Sequence, residues 1–99
     1  MKTTTLAGTP TLIQKEDIPN LRFPKEPLQR SKDEQSILRK TLRDSMVLGN
    51  IHHRKIRIVF QDEEGIKEVR TTIWAADDRF IVLKKGVSIP VDRVVEITF

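Results

Sequence analysis

The sequence predicts an α+β fold. An extended or disordered N-terminal arm covers residues 1–30, and a single domain over 31–99 joins one amphipathic helix to a five-stranded antiparallel β-barrel. Three observations predict it. Four of the five prolines fall within the first thirty residues. Apolar side chains recur at helical spacing between residues 31 and 48. From Arg54 to Phe99 the period changes to two, and tight turn signals interrupt it at short intervals.

The arm carries Pro10, Pro19, Pro24 and Pro27 among scattered apolar residues without a period. Proline removes a backbone donor and restricts the residue before it, which favours extended chain over helix. Leu21 and Phe23 are the arm's candidates for docking on a neighbour. Pro24-Lys25-Glu26-Pro27 has the PxxP spacing of a polyproline ligand, a pattern too common to carry weight.

The helix opens on a capping box, Ser31 with Glu34, and Asp33 and Glu34 suit its positive end. Ile37, Leu38, Leu42 and Met46 form one apolar stripe. Gly49 fits the position just past a helix end, where φ turns positive. Arg39, Lys40 and Arg43 fall off the stripe, on the solvent side.

Ile56, Ile58 and Phe60 then alternate with Lys55, Arg57 and Val59, as in a half-buried strand. Asp62-Glu63-Glu64-Gly65 reads as a hairpin turn. The following strand, about residues 66–75, carries apolar residues on both faces, so it should bend and serve both halves of a barrel. Ala76-Asp77-Asp78 turns the chain into an apolar strand over 79–84. Lys85-Gly86 makes a tight hairpin, and Pro90 ends the short strand after it. Val95, Ile97 and Phe99 line one face of the last strand, which should stand at an edge. With Trp74 they are the candidate interface residues. Trp74 is the lone tryptophan, and a cap on the core is its first expectation.

Ninety-nine residues allow one domain with a modest core. Net charge is +4, but it is spread evenly: five basic and three acidic side chains in 1–30, four and three in 31–50, nine and eight in 51–99. A nucleic-acid footprint concentrates its cations, so a pI near 9.7 is weak support for one. The densest basic patch is His52, His53, Arg54, Lys55 and Arg57, the candidate nucleic-acid contact. Adjacent histidines on extended chain point apart and cannot chelate one ion together. The chain has no cysteine, which excludes disulfides and thiol chemistry. No serine sits in a glycine elbow, and no glycine loop cradles phosphate. The turn carboxylates Asp62, Glu63, Glu64, Asp77 and Asp78 should be solvated. An enzyme, a metal site and a cofactor are therefore not expected. Neither a signal peptide nor a membrane-length apolar run is visible, and a cytoplasmic protein is expected.

Asp78-Arg79-Phe80-Ile81-Val82-Leu83-Lys84-Lys85 and Ile89-Pro90-Val91-Asp92-Arg93-Val94-Val95-Glu96-Ile97 resemble the second half of Sm-like barrels. Within that family the two stretches are most similar to the Hfq-type bacterial RNA chaperones, and SH3-like barrels share the pattern. In Hfq-type proteins an Asp-Gln-Phe turn opens a strongly apolar strand, and a helix precedes the barrel, as residues 31–48 do here. The resemblance implies an SH3/Sm-like fold and an oligomeric RNA-binding protein. Arg79 stands where that family has a uridine-contacting glutamine, Asp92-Arg93 where it has Lys-His, and the bend glycine is absent. The RNA pocket therefore does not carry over with the fold. Residues 71–75 and 82–90 are also similar to short bacterial proteins, a likeness that implies no activity. The expectation is a non-enzymatic binding module for an unidentified protein or a second copy of itself. The alternative is an Sm-like RNA-binding oligomer.

Overall fold

Alternation of apolar and polar residues builds the sheets, and the computed structural model describes residues 9–52 and 55–98 of them and their surroundings. The chain runs through β1 (Thr11–Leu12), a 3-10 helix (Lys15–Asn20), α1 (Lys32–His52), β2 (Ile56–Gln61), β3 (Ile66–Thr71), β4 (Ile73–Ala76), β5 (Phe80–Leu83), β6 (Ser88–Pro90) and β7 (Val94–Thr98). A 3-10 turn at Lys84–Gly86 precedes β6, and another at Val91–Arg93 precedes β7.

These strands form two sheets, one in the order β1-β3-β2-β7 and one in the order β4-β5-β6. The expected five-stranded antiparallel barrel is thereby corrected, because neither sheet closes on itself. β1 also runs parallel to β3, so the larger sheet is mixed. Closure needs a ladder across every seam. Here the seams are met by elements that are not strands. α1 packs against both β4 and β7, the facing edges of the two sheets. The 3-10 helix at 15–20 packs against both β3 and β6. The long strand expected over 66–75 breaks at Thr72. Thr71 still pairs with Ile56, whereas Ile73 pairs with Leu83 in the other sheet.

The arm is the second correction. Residues 9–30 are ordered against the sheets, whereas residues 1–8 lie outside the described residues. The Ile13 amide donates to the Glu68 carbonyl at 2.9 Å, extending the parallel pairing of Thr11 with Lys67. Ile18 is 2% exposed and joins the core. The rings of Phe23 and Phe60 meet at 5.8 Å between centroids, tilted by 44°. Four prolines read as an unstructured arm because proline denies helix and central strand. They do not deny an extended chain that docks through its side chains.

Two arginines fix that docking. Arg93 is 7% exposed, and it donates to the carbonyls of Glu26 at 2.7 Å and Gln61 at 3.1 Å. Arg30 reaches the opposite way, to the carbonyls of Val94 at 2.7 Å and of Val91 and Asp92 at 3.1 Å each. The Leu28 amide adds a bond of 2.9 Å to the Asp92 carbonyl.

The capping box forms as read. The Glu34 amide donates to the Ser31 hydroxyl at 3.1 Å, and the Ser31 amide donates to the Glu34 carboxylate at 2.8 Å. The helix then runs through Gly49 to His52 instead of stopping. A glycine inside a helix costs roughly 0.5–1 kcal/mol relative to alanine, too little to force an end. Leu38, Leu42 and Ser45 face the core, and Met46 packs at its border. Ser45 is fully buried and returns its hydroxyl to the Thr41 carbonyl at 2.7 Å. Ile37, assigned to the stripe, is 65% exposed. The core is one cluster, with Ile56, Ile58, Phe60 and Val69 from the larger sheet and Ile73, Ile81, Leu83 and Ile89 from the smaller.

Leu42→Ala should lower unfolding free energy by about 2–5 kcal/mol in urea titration, as buried large-to-small changes do. Phe23→Ala should cost roughly 2–4 kcal/mol by the same measurement, somewhat less because its ring is only half-buried. A variant lacking residues 1–23 should melt well below the full chain. An unchanged melting temperature would show that the arm adds nothing to the core.

Candidate functional site

The basic patch read from the sequence lies only partly within the described residues. His52 ends α1, while His53 and Arg54 lie outside the described residues. Lys55 is exposed just before β2. Arg57, on β2, is committed elsewhere. Its guanidinium pairs with Glu68 at 2.9 Å and Glu96 at 2.7 Å, and Arg70 adds a second cation to Glu68 at 2.9 Å. Register explains the cluster. Val59 stands opposite Glu68 on β3 and Glu96 on β7, and two residues along β2 comes Arg57. Burial alone would lower the Arg57 pKa, but the bonds to Glu96 and Glu68 outweigh it and hold the guanidinium above its ordinary value. Burial alone would raise Glu68, and its bonds to Arg70 and Arg57 carry it below the usual carboxylate range. This network ties three strands together on the outer face of the larger sheet.

Two of the turn carboxylates also serve the structure, and one of them, Asp62, is not solvated as read. Asp62 is buried. Its carboxylate accepts the amides of Glu64 at 2.7 Å and Gly65 at 3.0 Å and the Lys67 ammonium at 2.9 Å. Gly65, at φ 149°, supplies the backbone angle that this hairpin needs. Burial works to raise Asp62, yet the Lys67 and amide bonds leave it below its ordinary value. Asp77, though exposed, accepts the amides of Phe80 at 2.8 Å and Arg79 at 2.7 Å, which lower its pKa as well. Among the described residues no three of His, Asp and Glu converge as a metal site would need.

Two surfaces remain with unassigned chemistry. The first is the outer face of β4-β5-β6. Ile73, Ile81, Leu83 and Ile89 point into the core, so the residues between them point out. A register shift between Ile73 and Ala75 leaves Trp74 as an extra residue opposite β5. Trp74 is 53% exposed, which corrects its reading as a core cap, and Phe80 is 44% exposed. Ala75 pairs with Val82, Val82 with Ser88 and Phe80 with Pro90, so these residues share the face. Arg79, Lys84 and Lys85 are exposed at its borders. The sequence named Trp74 but missed Phe80, whose apolar neighbours Ile81, Val82 and Leu83 masked the alternation.

The second surface is a groove of about 920 Å3. Glu34, Ile37, Leu38 and Thr41 of α1 form one wall, and Val94, Val95, Glu96 and Ile97 of β7 form another. Gln61, Ile66 and Lys67 of the β2–β3 hairpin close its end. Of the candidate interface residues on β7, Val95 is half-buried in this lining, Ile97 belongs to the core, and Phe99 lies outside the described residues. The groove could not be read in advance, since it joins residues 34–41 to 94–97.

No protein family, curated protein or solved structure matches the chain.

The lowered pKa of Asp62 gives a signed expectation. A carboxylate depressed in the folded state contributes stability above its unfolded pKa, about 4, and loses it as pH falls through the folded value. Asp62→Asn should therefore be less stable than the parent at pH 7, and its melting temperature should fall less steeply below about pH 4. Parallel acid limbs for the two proteins would refute this role.

Proposed function

We propose that this chain is a small non-enzymatic interaction module, acting in the cytoplasm, that holds a partner protein against the outer face of β4-β5-β6. The observation that carries this reading is the exposure of Trp74 and Phe80 on one sheet face beside Ala75, Val82 and Pro90. Contiguous apolar surface rimmed by polar residues marks a contact site, and aromatic side chains are the usual anchors of protein interfaces. The titratable groups favour binding over catalysis. Asp62, Glu68 and Asp77 are all shifted downward by structural bonds. A general acid or base needs a pKa near the working pH, which is the opposite shift for a carboxylate.

A second reading is favoured by Arg79, Lys84 and Lys85, which border the same face. In it, single-stranded RNA stacks on the two aromatics while these cations meet phosphates, in an oligomer of the Sm-like kind.

Co-purification from native lysate, with and without nuclease, separates the two. The expected result is a defined protein that survives nuclease and high salt and is lost from a Trp74→Ala, Phe80→Ala double variant. That variant should still unfold cooperatively, because neither side chain belongs to the core cluster. Trp74 emission should shift to the blue when the purified partner is added. Nuclease-sensitive, steeply salt-dependent capture would favour RNA, and undiminished capture by the double variant would overturn the role of this face.

A further inference from the structure

We infer that the partner held on the β4-β5-β6 face is an acidic segment, which lays apolar side chains over Trp74 and Phe80 and sets its carboxylates at the Trp74 end. The inference rests on the reading of that face as a protein contact and adds which protein chemistry fits it.

The face is polarised along its strands. Ile73 pairs with Leu83 and Ala76 with Ile81, so Trp74 lies toward the end of β5. Phe80 opens β5 at the other end, where its amide is bound by the Asp77 carboxylate. Lys84 follows the inward-facing Leu83, and by alternation it points out with Val82 and Phe80. Its amide donates to the Thr72 carbonyl at 3.0 Å, which sets it across the strand pair from Thr72, two residues from Trp74. Lys85, at φ 69°, turns the chain beside it. Two exposed lysines therefore stand at the Trp74 end of the sheet.

α1 adds two arginines. It packs against β4 as well as β7. Glu34, Ile37, Leu38 and Thr41 mark its β7 side, since they line the groove with that strand. At about 100° per residue, Arg39 and Arg43 fall on the opposite side of the helix, the side of β4. Both are exposed.

These cations are available to a visitor. Among the described residues no carboxylate pairs with Lys84, Lys85, Arg39 or Arg43. The Glu16 carboxylate, which lies within reach of the Lys85 charge, is paired with Lys15 at 3.0 Å. The Phe80 end differs, because Arg79 there follows Asp77 and Asp78, and all three are exposed. An RNA strand carries a charge at every nucleotide and would have to pass those two carboxylates. A peptide can confine its charge to one end. Apolar contact with the aromatics supplies the hold, while the cations select the partner and orient it.

The test uses the full chain and a dye-labelled peptide with a leucine-rich start and a glutamate-rich end. It should bind, and its unlabelled form should shift Trp74 emission to the blue. Lys84→Glu with Lys85→Glu, and separately Arg39→Glu with Arg43→Glu, should each weaken binding roughly tenfold at low salt. The Lys84→Glu, Lys85→Glu variant should in turn bind the matched peptide with lysine for glutamate better than the parent does, a gain that a damaged fold cannot give. Equal binding of the two peptides by the parent, or charge-reversed variants that hold the glutamate peptide as the parent does, would overturn the acidic partner. If both peptides were then lost from the Trp74→Ala, Phe80→Ala variant, the face itself would stand. Glutamate-peptide binding that survives in that aromatic variant would overturn the face and this inference together. No binding at millimolar peptide, or tighter binding of a uridine oligonucleotide, would also overturn the inference. So would a parent chain that light scattering shows to be a dimer split by loss of the two aromatics, because the face would then belong to a second copy.

Discussion

The exchange of arginines between the arm and the start of β7 is the contact on which the rest of the architecture depends. Arg93 looks back to the carbonyls of Glu26 and Gln61, while Arg30 looks forward to those of Val91, Asp92 and Val94. Each guanidinium is a planar fork of donors, and each meets two or more backbone carbonyls at once. Together they fix the arm, the end of β2 and the entry to β7 at one point. Residue 30 also immediately precedes the capping box, so the same contact sets where α1 begins and the direction in which it leaves. A lysine at either position would supply charge without the fork, and its single ammonium would not span the same carbonyls.

From that point the two sheets are joined by packing rather than by pairing. α1 covers the seam between β7 and β4, and the 3-10 helix covers the one between β3 and β6. A helix seals such a seam with side chains, which is why Leu38, Leu42 and Ser45 are buried while their neighbours are not. It also leaves the backbone groups of the outer edge unpaired by any strand.

Much of the secondary structure was legible because its signals are local. The Ser31–Glu34 box, the Asp62–Gly65 hairpin and the alternation through Ile56, Ile58 and Phe60 each involve residues a few positions apart. Closure was not legible, because period-two patterning is the same for a closed sheet and for two sheets joined at a break. Nothing in Arg70-Thr71-Thr72 announces that the ladder changes partner at Thr72. The arm was misread because composition reports what a segment cannot form, and Phe23 against Phe60 is a contact across the length of the helix and beyond. At the candidate sites, Trp74 was visible as a rare residue and Arg57 as a charge. The ion pairs that occupy Arg57, and the exposure of Phe80, depend on register.

The parallel pairing of β1 with β3 imposes an order of assembly on a chain made from its N-terminus. Thr11 and Leu12 leave the ribosome more than fifty residues ahead of their partners, Lys67 and Glu68. Glu26 waits longer still for Arg93. Until then Ile18, Leu21 and Phe23 have no core to enter. Contacts this distant in sequence slow folding, since the connecting loop must close before they repay it. Until those partners are made the nascent chain thus carries a bare apolar segment, and the prolines within it keep it from settling into a helix of its own while it waits.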